Sequence, residues 1–277
     1  MKRRSIYIFT ILALGLSALV AWWQHRAPGP TTAPLTMWTP ALAAALTYML
    51  VERKAIWSPE VRARIVGDLR RWPLAWIMIP VALLSYAIAI AVHPQLVFGQ
   101  AQMHRHLHEL PGSLGQQIAL LIAINLGIGP IINGLIVGLG EEIGWRGFLY
   151  PRLQSAYGTA GLFIGGVIWA LWHAPMIAYF GLNYPTLPWW LATLYFALYT
   201  IPCGIILYAI YMRTGSIIAA AIAHAALDSA PVFAGFFIDT NKLNPLVFEA
   251  GWVSMLVLWI LAGLLLWYRS GRLLRQT

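Results

Sequence analysis

Six side chains carry most of the chemistry this sequence can offer. They are Glu141, Glu142 and Arg146 in the run GEEIGWRGF, His173 in WALWHAP, and His224 with Asp228 in AHAALDS. All lie in or against stretches apolar enough to cross a bilayer. A charged group at the bilayer centre costs at least about 2.5 kcal/mol, so ionisable residues there face the protein interior, pair with one another and mark function. A carboxylate beside a histidine can hold and deprotonate a water. A second polar pair can then stabilise the oxyanion formed when that water attacks an amide, which is peptide-bond hydrolysis without a nucleophilic serine. Glu141, His173 and His224 are also the donor types of a zinc site with water in the fourth position.

Helix geometry separates the roles. Glu142 and Arg146 are four apart, stack on one face and make a favourable acid-before-base pair. Glu141 is rotated by about 100° and faces a different neighbour, so the ion pair is assigned to Glu142 and Arg146, and the chemistry to Glu141. The plainer alternative has both glutamates neutralising Arg146 and a second arginine such as Arg152. His173, taken alone, reads as an interhelical hydrogen-bonding residue. His224 and Asp228 share a face at i, i+4, where they could orient a ligand, hold a metal or donate to an oxyanion. Competing chemistries lack their residues. There is no HExxH, no G-x-S-x-G elbow, and Asp228 is the one aspartate within a span, so it has no partner for an aspartyl dyad.

These groups must be positioned by membrane helices. The 277 residues are 60% hydrophobic and only 10% charged, against roughly 25% charged for a soluble domain. A span needs about 20 apolar residues, and about eight such stretches occur, at 5–23, 34–50, 74–92, 117–140, 160–180, 187–211, 216–237 and 246–268. Lipid admits no open strand edge, so the fold class is an all-α, polytopic bundle. With the N-terminus inside, 15 of the 18 lysines and arginines fall on one side, leaving Arg26, Arg105 and Lys242 on the other. That is the positive-inside asymmetry, and it predicts both termini in the cytoplasm. The net charge of +9 therefore reports orientation rather than a nucleic-acid partner. The first segment has the basic start of a secretory signal, but its apolar run is long for one and no small-x-small site follows. Cys203 is the sole cysteine, which rules out an intrachain disulfide and a cysteine-rich metal site.

Residues 52–71 form a basic loop with room for an amphipathic helix on anionic headgroups, read first as a topology anchor. Residues 94–115 carry His104, His106 and His108, read as a solvated interfacial loop with a metal site as the alternative. Small residues crowd 161–166 and 219–226, allowing helices to approach closely. One domain, 1–277, is expected, with the motifs in 117–237. Counting 1.5 Å per residue puts Glu141, His224 and His173 about 15, 12 and 20 Å from the cytoplasmic ends of their spans. The three levels overlap and predict one pocket opening toward the cytoplasm.

EEIGWR matches an EExxxR motif, WALWH an aromatic-xxx-His motif, and HAALD a His-xxx-Asn/Asp motif, in that order. The pattern resembles the CPBP, or ABI, family of intramembrane proteases, which includes the CAAX prenyl endopeptidase and bacteriocin-processing and immunity proteins. The resemblance implies that Glu141 activates water with His173 as its partner, that His224 and Asp228 stabilise the oxyanion, and that Glu142 and Arg146 complete the first motif. Trp169 stands where phenylalanine is more usual. Asp228 departs from the asparagine of the prenyl endopeptidase branch, and an ionised carboxylate there would repel an oxyanion. The resemblance implies a peptide or membrane-protein substrate and a multi-pass protein of a bacterial inner membrane. No metal is expected to be obligatory, with zinc on Glu141, His173 and His224 as the alternative. A catalytically idle scaffold or immunity protein of the same fold, and a proton-coupled transporter, are the rival readings.

Overall fold

The computed structural model describes residues 2–28, 32–53, 59–92, 110–237, 244, 246–247 and 250–273. Every regular element among them is helical, as expected. In chain order these are α1 (Lys2–Arg26), α2 (Thr32–Thr47, continued by a π-turn at Tyr48–Glu52), α3 (Pro59–Val66), a 3-10 segment (Leu69–Ile77) and α4 (Met78–Val92). There follow α5 (Leu114–Tyr157), α6 (Ala160–Phe180), α7 (Trp189–Thr214), α8 (Ile217–Gly235) and α9 (Trp252–Leu273). The short α3 occupies part of the basic loop. His104, His106 and His108 lie outside the described residues.

Among the described residues seven helices are long and apolar enough to cross a membrane; α9 offers a shorter apolar stretch, Trp252–Tyr268. The protein is a multi-pass integral membrane protein. Leu246, Val247, Ala250 and Gly251, expected in the last span, instead lie in turns and a bend. Leu246 N–H donates to the Asn244 side chain, the Leu246 carbonyl accepts from Trp252 N–H, and the Ala250 carbonyl accepts from the Tyr184 hydroxyl. Backbone groups satisfied in this way cannot enter the helical ladder, so α9 starts late.

α5 extends well past the expected 117–140. It alternates α segments with π-turns at Ala123–Ile128, Gly134–Gly138 and Trp145–Leu149. Pro130 and Pro151 each open the α segment after such a turn. A proline lacks the N–H for an i→i−4 bond and crowds the preceding turn; the wider π-turn accommodates it, and such bulges recur at functional sites.

Contacts gather the basic segments at one end of the bundle. Arg3 sits 5.5 Å from the Tyr157 ring, Arg152 is bidentate to Glu52, Asp68 N–H donates to the Thr214 carbonyl at 2.8 Å, and Arg71 donates to the Arg213 carbonyl. At the opposite ends of their helices, Trp22, Trp23, Tyr179, Trp189, Trp190 and Trp252 are exposed, as an aromatic belt at an interface requires.

Candidate active site

Glycines let α5 sit against two neighbours at once. A Cβ on Gly134 would lie 3.0 Å from the Ile222 Cα, and one on Gly138 3.0 Å from the Ala221 carbonyl, both in α8. On another face, a Cβ on Gly140 would lie 2.7 Å from the Met37 carbonyl in α2, and one on Gly144 would collide with Pro40. Two offset small-xxx-small pairs thus draw α2 and α8 onto the stretch that carries the glutamates.

Glu142 and Arg146, both fully buried, pair at 2.7 Å. The same Glu142 oxygen meets His224 Nδ1 at 3.0 Å, which ties α5 to α8. The Arg146 guanidinium also lies over the rings of Trp169 and Tyr150, at 4.6 and 5.0 Å. Cation–π attraction supplies part of what water would give elsewhere. Arg152 does not share these glutamates; its partner is Glu52, which removes the alternative in which it neutralised them.

Glu141 points elsewhere, as the rotation along the helix requires. Its Oε2 accepts the indole N–H groups of Trp145 at 3.0 Å and Trp169 at 2.7 Å. Trp169 is the hub of the site. Its carbonyl lies 2.8 Å from His173 Nδ1, and its ring meets the His224 ring edge to face at 5.2 Å. A carbonyl only accepts, so Nδ1 of His173 carries the proton and Nε2 is left as the lone-pair nitrogen. The His173 ring is held edge to face by Trp172 and Phe196, at 4.6 and 4.8 Å. α5, α6 and α8 therefore meet at one place.

Asp228 sits differently. Its side chain is 67% exposed, and its Oδ2 is 3.6 Å from His224 Nε2. It opens onto a cavity of about 220 Å³ that Glu141 and His224 also line. The remaining wall includes Met37, Asn133, Val137 and Val232. Val137 and Asn133 stand one and two turns before Glu141 and Val232 two turns after His224, away from the arginine-rich end, while Met37 comes from α2. In the other direction Trp145, Phe148 and Leu149 are fully buried, and Phe9 stacks on Phe148 at 4.9 Å. The pocket was expected to open toward the arginine-rich end; it is closed there, because those aromatic side chains fill the bundle below the glutamates. Asn133 and Val232 are exposed, so the cavity is a groove on the flank between α5 and α8.

A tetrahedral zinc centre needs three protein ligands around one point. Among the described residues no three His, Cys, Asp or Glu side chains gather as metal ligands. One donor atom of each is engaged, Glu141 Oε2 by two indoles, His173 Nδ1 by a carbonyl and His224 Nδ1 by Glu142, which leaves Glu141 Oε1 and the two Nε2 atoms.

Sequence reasoning missed three contributors. The indoles of Trp145 and Trp169 are donors to Glu141; the first stands at i+4 and was readable as such, whereas the second arrives from 28 residues away. Asn133, eight residues before Glu141, shares its face of α5 and was readable as the polar residue of that stretch. The second bond of Glu142, to His224, left no local signal.

Residues 123–230 match the family described as type II CAAX prenyl endopeptidase Rce1-like. A stretch of 44 residues is 41% identical to CAAX prenyl protease 2 of Methanococcus maripaludis, covering 16% of this chain and 16% of that protein. The resemblance carried by the three motifs is thus borne out, and all six motif residues fall inside the matched segment.

Proposed function

We propose that this protein is an intramembrane endopeptidase of the CAAX-protease type, hydrolysing a peptide bond with a water activated by Glu141 and His173. One observation carries the reading: Trp169 joins Glu141, His173 and His224, and Glu141 and His224 line one groove with Asp228. The Glu141 carboxylate, fixed at Oε2 by two indoles, presents its other oxygen to water. His173, with its proton held on Nδ1, offers Nε2 to the same water. Glu141 takes a proton as the water oxygen bonds to the amide carbon, and the carbonyl π electrons move to oxygen. His224, its Nδ1–H donated to Glu142, stabilises that oxyanion as an imidazolium that also donates Nε2–H. Asp228 orients His224 through the 3.6 Å contact. Collapse of the tetrahedral intermediate breaks the C–N bond, and Glu141 returns the proton to the departing amine.

The groove lies open to the bilayer on the flank of α5 and α8, so the substrate is a membrane-embedded or membrane-associated segment that enters sideways. With the arginine-rich end in the cytoplasm of a bacterial inner membrane, the segment approaches from the far side of the glutamates.

The test is cleavage of a membrane-peptide library by the purified full-length protein. Glu141→Gln and His173→Ala are expected to abolish cleavage, and a chelator to leave it intact. Cleavage surviving both substitutions would overturn the assigned roles, and loss on chelation restored by zinc would overturn the metal-free reading. No cleavage by any form would favour the idle scaffold.

A further inference from the structure

The arginine-rich end holds a second, larger cavity, of about 650 Å³, lined by Arg70, Arg71, Pro73, Leu74, Arg213 and Tyr268. It is built on a rigid crossing. Gly67 adopts a left-handed φ of +61°, and a Cβ there would lie 2.6 Å from the Thr214 carbonyl. The next residue, Asp68, donates its N–H to that carbonyl at 2.8 Å and caps the 3-10 segment by accepting from Arg70 N–H. Arg71 completes the lock, with Nε 3.1 Å from Asp68 Oδ2 and Nη1 2.8 Å from the Arg213 carbonyl.

Asp68 is therefore spent on Arg71. Among the described residues Arg70 and Arg213 have no ion-pair partner, and both are exposed. Two uncompensated guanidinium groups are thus held by fixed backbone beside Pro73, Leu74 and the Tyr268 ring. Exposed Ile77, Leu264 and Trp267 lie along the same helices toward the bilayer. The chemistry that fits is a phosphodiester at interface height with acyl chains below it. Guanidinium groups bind phosphate oxygens bidentately, and basic pockets between membrane helices take anionic headgroups.

We propose that this cavity binds the headgroup of an anionic phospholipid, held by Arg70 and Arg213 on the scaffold of Arg71 and Asp68. The site is separate from the groove of Glu141 and independent of any reading of that groove as catalytic.

Native mass spectrometry of the full-length protein in detergent tests it, with short-chain phosphatidylglycerol and phosphatidylcholine of the same acyl length as probes. Wild type should retain the anionic lipid in preference to the zwitterionic one. Arg70→Gln with Arg213→Gln should weaken phosphatidylglycerol binding by about 25-fold, at about fivefold per arginine. Phosphatidylcholine binding should not change, and Arg70→Lys with Arg213→Lys should keep most of the preference. Arg62→Gln, which alters the same charged end outside the cavity, should have no effect. Equal retention of the two lipids, or unaltered phosphatidylglycerol binding in the double glutamine variant, would overturn the proposal. Complete displacement of the lipid by millimolar inorganic phosphate would also overturn it, showing a site for a free anion.

Discussion

Trp169→Phe removes the indole N–H from the centre of the site, together with the rest of the five-membered ring. Phenylalanine keeps an aromatic face for Arg146 and an edge for His224, and the backbone carbonyl that holds His173 is unchanged. What disappears is the 2.7 Å indole bond to Glu141 Oε2, leaving Trp145 as the remaining indole donor. A hydrogen bond to a charged group contributes about 1.5 to 3 kcal/mol. If its whole value goes into aiming the carboxylate at the attacking water, kcat falls by about 10- to 150-fold. KM should move little, because Trp169 does not line the groove. The assay is steady-state cleavage by protein reconstituted in vesicles, with Trp145→Phe and Glu141→Gln run in parallel and thermal unfolding followed for each. A Trp169→Phe variant with wild-type kcat beside an inactive Glu141→Gln would refute the role of the indole in positioning the glutamate. So would a loss of activity matched by an equal loss of folded protein.

Two further outcomes follow from the packing. Gly140→Ala and Gly144→Ala should each destabilise the fold by about 1 to 3 kcal/mol through overpacking against α2, read as lowered thermal midpoints in detergent; unchanged midpoints would show that α2 can move aside. Asp228→Asn should keep cleavage within about threefold, since asparagine retains an acceptor for His224, whereas Asp228→Leu should lose about tenfold. An asparagine variant as poor as the leucine one would mean that the negative charge itself is required.

The parts of the site that were legible in the sequence are those fixed by a single helix. Glu142 reaches Arg146, and His224 comes within 3.6 Å of Asp228, because four residues make about one turn. The rotation that sends Glu141 away from that pair was equally local. The π-turns were not foreseen, nor were the glycine contacts at Gly134, Gly138, Gly140 and Gly144. A small residue indicates only that something can come close, not what does.

The sequence by itself determined the membrane class and the helical fold, because apolar runs of that length leave lipid-exposed backbone no other way to pair its polar groups. It also singled out the ionisable residues within the spans. Tertiary structure alone decided that Glu142 also holds His224, that an indole 28 residues away fixes Glu141, and that Arg152 turns to Glu52. It also decided that the groove runs away from the arginine-rich end. Each of these depends on how helices are rotated and staggered against one another, and that is set by side-chain packing across the bundle rather than by periodicity within any one segment.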